Sequence, residues 1–308
     1  MEIFEADKDG KIFLSAATPD IVSAAHGSQE ASSGRRLDAA RELPSRLSKK
    51  TTIYIPAYNC ADTIIQVLNK IPNEIKETSN LLIIDNCSSD GTSELLVKYR
   101  DNGLIPAHVI LVKTAENLGY AGSQKLAYSI ARDSKAAAWT LMLHGDGQYD
   151  PALIPSFIDA QCSNPDLVYG FRSKIKYGLQ EETPITTWSV IRLLSVLESA
   201  ITGYFRHEWH SGYVMYKNEF LNRVNLDAIT NTPHFDGHML FSAGRMKAKV
   251  VGVPIYKRYK ELTAFEGQAR RKYVFDVICL MFSFRRTKTE SLIRKSSPDW
   301  YSKVGEVL

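Results

Sequence analysis

Residues 139–151, WTLMLHGDGQYDP, decide how this chain is read. Trp139, Thr140, Leu141, Met142 and Leu143 form a short run of bulky, mostly apolar residues, the pattern of a strand buried in an α/β sheet. The run stops at His144, Gly145, Asp146, Gly147, Gln148, Tyr149, Asp150 and Pro151, where two glycines and a proline end regular structure and leave polar side chains on a loop. Ligands of open α/β sheets bind at the carboxyl ends of the strands, so chemistry is expected here. Asp146, Gln148 and Asp150 offer hard oxygen donors at alternate positions, and His144 adds an imidazole that manganese accepts more readily than magnesium does. In isolation the same loop also reads as a polar turn after a core strand. The rest of the chain decides between the two.

Upstream, TTIYIPAYN from Thr51 is a β-branched and aromatic strand closed by Pro56, and Asn59 or Asp62 can cap a following helix with Ile64, Ile65, Leu68 and Ile71 on one face. Leu81, Leu82, Ile83 and Ile84 make a second strand that ends in DNCSSDGT, residues 85–92, and a helix carrying Leu95, Leu96 and Tyr99 follows. HVILVKT is a third strand, with Leu126, Ala127, Ile130 and Ala131 on the helix after it. Strands and helices alternating at this spacing predict parallel βαβ units in a doubly wound sheet. Three strand ends, PAYN, DNCSSDGT and HGDGQYD, then deliver polar loops to one edge and predict a nucleotide pocket. A dinucleotide fingerprint and a P-loop are both absent.

The chain has 308 residues, 44% apolar and 23% charged, and its net charge of +4 is too small to imply nucleic acid. Cys60, Cys87, Cys162 and Cys279 are scattered with no close pair, so neither a zinc site nor a disulfide framework is expected, and a cytoplasmic setting fits. No signal peptide is read, and no apolar run reaches the roughly 18 residues of a membrane span. Residues 1–48 read as a polar, partly disordered extension with a short helix around Leu37 to Leu43.

The ordered series PAYN, DNCSSDGT, NLGYAGSQK (residues 117–125) and HGDGQYDP resembles the family 2 inverting glycosyltransferases of the GT-A fold. The branch it resembles includes the polyprenyl and dolichyl phosphate mannose and glucose synthases, here in an HGDGQY variant. The resemblance implies a mostly parallel sheet flanked by helices over residues 49–272, with a mixed acceptor-side half. It also implies a UDP or GDP type of sugar donor and a divalent metal, Mn2+ or Mg2+. Carried over residue by residue, Pro56, Tyr58, Asn59, Asp85, Asn86, Asp90 and Gly145 would line the donor nucleotide. Asp146 would be the surviving carboxylate of the DxD motif, with Gln148 helping to hold the metal; His144 is read as a further metal ligand, as a hydrogen-bond partner of the diphosphate, or as a packed side chain. Cys60, Asn86 and His144 stand where the family usually has acids, and the amide of Asn86, both donor and acceptor, leaves the base open.

In the acceptor half, DLVYGFR ends a strand at Arg172, which is read as neutralising the diphosphate or as a surface cation. Residues 184–205 are a largely apolar helix interrupted by Arg192 and Glu198, read either as a core helix or as an acceptor helix at a membrane surface. EWHSGYVMY resembles the family's SGYR segment with Val214 in place of arginine, and His210 and Ser211 are candidates for sugar or acceptor contact. In PHFDGHML, Asp236 is the candidate catalytic base for a hydroxyl acceptor or a helix-capping aspartate. Lys257, Arg258, Lys260, Arg270, Arg271 and Lys272 are a charge run read as a solvated face or as a loop closing over the diphosphate. Residues 273–308 are expected to be a C-terminal helical segment, with YVFDVICLMFSF and its flanking cations suited to an anionic membrane surface.

The expected function is metal-dependent sugar transfer with inversion to an acceptor, a polyprenyl phosphate before a saccharide, peptide or metabolite hydroxyl. Non-catalytic nucleotide-sugar binding is a further reading.

Overall fold

Eight runs rich in β-branched and aliphatic residues pair into one sheet in this computed structural model, which describes residues 5–6, 12–13, 35–106, 108–259, 268–284, 286, 288–294 and 299–308. The strands are β1 (Thr51–Ala57), β2 (Ser79–Asp85), β3 (Ile110–Thr114), β4 (Trp139–Met142), β5 (Leu167–Arg172), β6 (Val214–Lys217), β7 (Val250–Ile255) and β8 (Val304–Val307). Their spatial order is β8-β3-β2-β1-β4-β6-β5-β7. β3, β2, β1 and β4 are mutually parallel, with Ile53 opposite both Leu81 and Leu141. β6 runs antiparallel to β4 and β5, and β7 is parallel to β5, giving the mixed acceptor half. The expected GT-A type of α/β sheet is therefore present.

Period-two alternation along the strands splits the core into two layers. Ile53, Ile55, Leu81, Ile83, Leu111 and Leu141 pack on one face of the sheet, and Tyr54, Leu82, Ile84, Val112 and Met142 pack on the other. Helices α1 (Ala61–Lys70), α2 (Thr92–Asp101) and α3 (Gly119–Asp133) follow β1, β2 and β3. Every residue of α3 from Ala121 to Arg132 is buried, because the sheet covers one side and the acceptor-side elements cover the other.

Two boundaries differ from expectation. Ala40, Leu43 and Leu47 lie buried in the same core cluster as Tyr54 and Leu126, so the polar extension does not run to 48. Three apolar side chains at spacings of three and four are enough to dock a short helix, although the surrounding composition is polar. At the other end, β8 closes the sheet edge antiparallel to β3, so the C-terminal segment is not wholly helical.

The acceptor half carries α4 (Ile154–Ala160), α5 (Ile185–Thr202), α6 (Phe235–Arg245) and α7 (Gln268–Phe284). Among the described residues, α5 is the one helix long and apolar enough to cross a membrane, by length and composition only. Arg192 and Glu198 break the run by eye, yet an 18-residue helix tolerates them. It is not a core helix: only Leu194, Ser195 and Glu198 are buried, while Ile185, Leu193 and Val196 are each more than 60% exposed. Lys260 and the side chains of Arg270 and Arg271, part of the expected basic loop, lie outside the described residues.

Candidate active site

The loop after β4 is seated on the end of β1. Leu143 N–H donates to the Tyr54 carbonyl (2.9 Å) and Gly145 N–H to the Pro56 carbonyl (3.3 Å), while the Thr63 hydroxyl donates to the Gly145 carbonyl (2.8 Å). Gly145 is required by this approach, since a Cβ there would lie 2.9 Å from the Pro56 carbonyl oxygen and 3.0 Å from Ile64 Cδ1. Asp146 follows at the rim, one carboxylate oxygen accepting the Gln148 N–H at 2.9 Å, and the Gln148 carbonyl accepts Arg258 N–H at 2.9 Å.

His144 points inward beside Tyr149 and Tyr120, at ring-centroid distances of 5.0 and 6.0 Å. Its Nε2 is buried and, among the described residues, has no partner in hydrogen-bond geometry. Gly212 makes the room: a Cβ there would stand 2.7 Å from His144 Nε2 and 2.6 Å from the Tyr120 hydroxyl. Burial lowers the imidazole pKa and nearby Lys257 adds to this, with Asp146 opposing, so the ring is neutral near pH 7 and its lone pair is available. The residues present thus fit a divalent cation, with Asp146 and His144 as the adjoining oxygen and nitrogen donors. Asp150 does not join them. Its carboxylate accepts Ala152 N–H (2.9 Å), the Tyr256 hydroxyl (2.7 Å) and Arg258 Nη2 (3.1 Å), which corrects the reading of that residue as a ligand.

Lys257 reaches the same place from the end of β7. Its Nζ lies 5.3 Å from the ring centroids of both Tyr149 and Tyr259, and burial followed by repulsion from Arg172 brings its pKa down to about 8. In the sequence it was indistinguishable from its charged neighbours. Only the pairing of Tyr149 with Lys257 in an isolated antiparallel bridge sets it apart.

The nucleotide side is a locked pair of loops. Asp90 accepts Ala61 N–H (2.9 Å), Thr92 N–H (3.1 Å) and the Thr92 hydroxyl (2.6 Å), and against the cost of burial these bonds hold its carboxyl below the usual range. Asn59 sits at φ 48° and exchanges bonds with the second loop, its N–H to Ser88 Oγ and its Oδ1 from Ser89 N–H, both 2.9 Å. Asp85 accepts Ser88 N–H (2.9 Å) and the Ser93 hydroxyl. Asn86 donates to Asn117 Oδ1 (2.9 Å) and the Gly119 carbonyl (3.3 Å) while accepting Leu118 N–H (2.9 Å). Asp85, Asn86 and Asp90 therefore shape the rim through internal bonds. Tyr58 stands out from it, 53% exposed.

Arg172 and Asp236, the other expected catalytic residues, are both deep. Arg172 is 3% exposed; its Nε donates to Glu208 Oε1 at 2.7 Å, its backbone N–H to Oε2 at 2.7 Å, and its Nη2 also pairs with Glu208. Further bonds run from Nη1 to the Tyr259 hydroxyl (3.3 Å) and from Nη2 to the His210 carbonyl (3.2 Å). The Arg172 guanidinium is thus compensated by a buried carboxylate and is not the surface cation of the alternative reading. Asp236 accepts the Tyr120 hydroxyl at 2.6 Å through one oxygen, while the other has no partner in hydrogen-bond geometry. Burial raises its pKa to about 7 although Tyr120 and Gln124 act to lower it.

Three comparisons bear on this arrangement. The structure of glucosyl-3-phosphoglycerate synthase from Mycobacterium tuberculosis, in complex with Mn2+, UDP-glucose and phosphoglyceric acid, superposes with a TM-score of 0.57 at 15% identity. That likeness covers 82% of this chain and 83% of the other, and it shows the shared fold. Polyprenol monophosphomannose synthase of Mycolicibacterium smegmatis is 23% identical over 249 residues, 79% of this chain and 92% of the relative. An uncharacterised protein of Methanocaldococcus jannaschii is 25% identical over 64% of this chain and 83% of its own. Residues 52–224, more than half of the chain and the span that contains all three strand-end loops, match the family described as Glycosyl transferase family 2. With its sheet, its loop order and this match in agreement, the chain belongs to glycosyl transferase family 2 and is a glycosyltransferase.

Proposed function

We propose that the protein transfers a sugar from a nucleoside diphosphate of UDP or GDP type to a polyprenyl phosphate, by single displacement with inversion. The observation that carries this reading is the meeting of neutral His144, with its unpartnered Nε2, and Asp146 on a loop seated against the end of β1. Asp146 and His144, with Gln148 beside them, would hold Mn2+ or Mg2+, which when bound neutralises charge on the diphosphate. Tyr58 offers an exposed ring for the base, and the backbone of 56–59 together with Gly145 shapes the seat of the nucleotide. Lys257 faces the same space and adds positive charge where the bond from the anomeric carbon to the diphosphate oxygen breaks. The acceptor oxygen forms its bond to that carbon from the opposite side.

The lipid acceptor is supported by the exposed apolar face of α5, with Phe275 and Phe282 of α7 also 65% exposed. A phosphate acceptor is already an anion and needs no base. The hydroxyl-acceptor reading rests on Asp236, whose unpartnered oxygen and pKa of about 7 suit general-base work. Turnover separates the two: Asp236→Asn keeps transfer to a polyprenyl phosphate, whereas a hydroxyl acceptor would lose about 10²- to 10⁴-fold.

The donor site is tested by thermal stabilisation with UDP, GDP and their sugars, with and without Mn2+ or Mg2+. A nucleotide at a hundred times its Kd adds about 2.7 kcal/mol. One nucleotide should shift Tm in a metal-dependent way in the native protein and not in Asp146→Ala. A full metal-dependent shift retained in Asp146→Ala removes the centre of the proposal.

A further inference from the structure

Away from the donor loop, Glu198 of α5, His210 before β6 and His234 at the start of α6 bring their ligating atoms within 4.8 Å of one another. All three side chains are almost inaccessible, at 0%, 3% and 1%. His210 Nε2 lies 2.9 Å from Glu198 Oε2, and His234 Nε2 lies 3.4 Å from Oε1. Among the described residues none of these four atoms has a partner in hydrogen-bond geometry, so four buried polar atoms converge on one point with only each other as close neighbours. Behind them the Tyr273 hydroxyl of α7 sits 2.8 Å from His210 Nδ1 and 3.3 Å from His234 Nδ1. Gly237 accommodates the arrangement, since a Cβ there would fall 2.1 Å from the His234 ring.

We propose that Glu198, His210 and His234 form a second metal site, separate from the donor loop, which takes a zinc-class divalent ion through two imidazole nitrogens and one carboxylate.

Proton counting supports it. Without an ion and with both rings neutral, both Nε2 atoms carry hydrogens to face the carboxylate, leaving two Nδ1 acceptors and a single Tyr273 hydroxyl hydrogen between them. With an ion, both Nε2 lone pairs face it, and both Nδ1–H groups donate to the one Tyr273 oxygen, which has two lone pairs. This is the usual outer support of a ligating histidine. Two nitrogens and one oxygen suit zinc better than magnesium or manganese and leave a fourth position for water. Scattered cysteines exclude only a cysteine-built site. An ion here would tie α5 to α6 and to the segment before β6, fixing the root of the exposed apolar helix. The neighbouring Arg172–Glu208 pair touches this site through the His210 carbonyl (3.2 Å).

The full-length protein is purified without chelator, dialysed, and assayed for metal content, then stripped and titrated with Co2+ and with Zn2+ in competition with a chromophoric chelator. The native chain should retain one equivalent of zinc without nucleotide, and Co2+ should give intense visible bands of a low-coordinate site that zinc abolishes. Asp146→Ala should behave identically, which separates this site from the donor loop. Tyr273→Phe keeps all three ligands and should weaken zinc by about 10- to 100-fold. Glu198→Gln should abolish the cobalt bands. A native protein that retains no zinc and gives no such spectrum overturns the proposal whether or not any variant folds, as does a spectrum lost in Asp146→Ala and kept in Glu198→Gln.

Discussion

Replacing Arg172 by methionine tests whether that arginine positions the site from within. Glu208 is completely buried, and among the described residues its carboxylate accepts hydrogen bonds from Arg172 alone, through Nε, Nη2 and the backbone N–H. Arg172→Met removes two of the three and leaves a buried carboxylate without its counter-charge, a loss of about 3–5 kcal/mol. That is a large part of the roughly 5–15 kcal/mol that holds a domain folded. The pH dependence gives the sharper sign. In the native protein burial acts to raise the Glu208 pKa, but the charge and hydrogen bonds of Arg172 outweigh it and the net shift is downward. A depressed folded pKa contributes stability above the unfolded value of about 4.3, lost as pH falls through the folded pKa. Without the Arg172 side chain the largest opposing influence on Glu208 is gone, and burial is set only against the backbone N–H of residue 172 and His210, so the folded pKa rises and protonation then favours the folded state. The deficit of Arg172→Met relative to the native protein should therefore shrink from pH 7 to pH 5, and Arg172→Met/Glu208→Met should recover about 2–3 kcal/mol as a coupling energy. Urea unfolding of the native protein, Arg172→Met, Glu208→Met and the double variant at both pH values measures this. A single variant within about 1 kcal/mol of native with an unchanged pH dependence would refute the reasoning, since a surface cation would behave that way.

Gly145→Ala places a Cβ 2.9 Å from a backbone oxygen that cannot swing away. It should cost about 1–3 kcal/mol in chemical unfolding, and a loop displaced by about 1 Å should cost about 10²-fold in kcat/KM; native stability and rate would contradict the seating of that loop. Leu43→Ala, at a fully buried position, should cost about 2–5 kcal/mol, whereas a residue in a detached tail would cost nothing. Asp236 has its folded pKa raised to about 7, so its stabilisation is complete below about pH 4 and declines as pH rises to 7. Asp236→Asn lacks this titration and should gain relative stability across that range, which parallel unfolding curves would exclude. Leu193→Lys/Val196→Lys, on the exposed face of α5, should change stability by less than about 0.5 kcal/mol per site while reducing flotation with lipid vesicles; unchanged flotation removes the case for a lipid-facing helix.

The sheet and its loops were legible in the sequence because local chemistry dictates them. Runs such as LLII and WTLML, short and bounded by turn residues, read as buried strands, and Gly91 and Gly145 with Gly147 place the loops that follow them, although β1 continues through Pro56 to Ala57. The order of the strand-end motifs carried the family. Side-chain roles within those loops were less legible, because a carboxylate in sequence does not reveal its partners: Asp146 stays at the rim, whereas Asp85, Asp90 and Asp150 are taken up by neighbouring donors. Tertiary structure alone decided the rest. Arg172 is compensated because Glu208, 36 residues away, folds under it, and Lys257 is singled out from a charge run by Tyr149 across an isolated bridge. Glu198, His210, His234 and Tyr273 come from four separate segments, and no spacing in a linear chain encodes their meeting. The same holds for the exposed face of α5: apolar composition is identical in a core helix and a surface one, and only the packing of neighbouring elements determines which of the two it becomes.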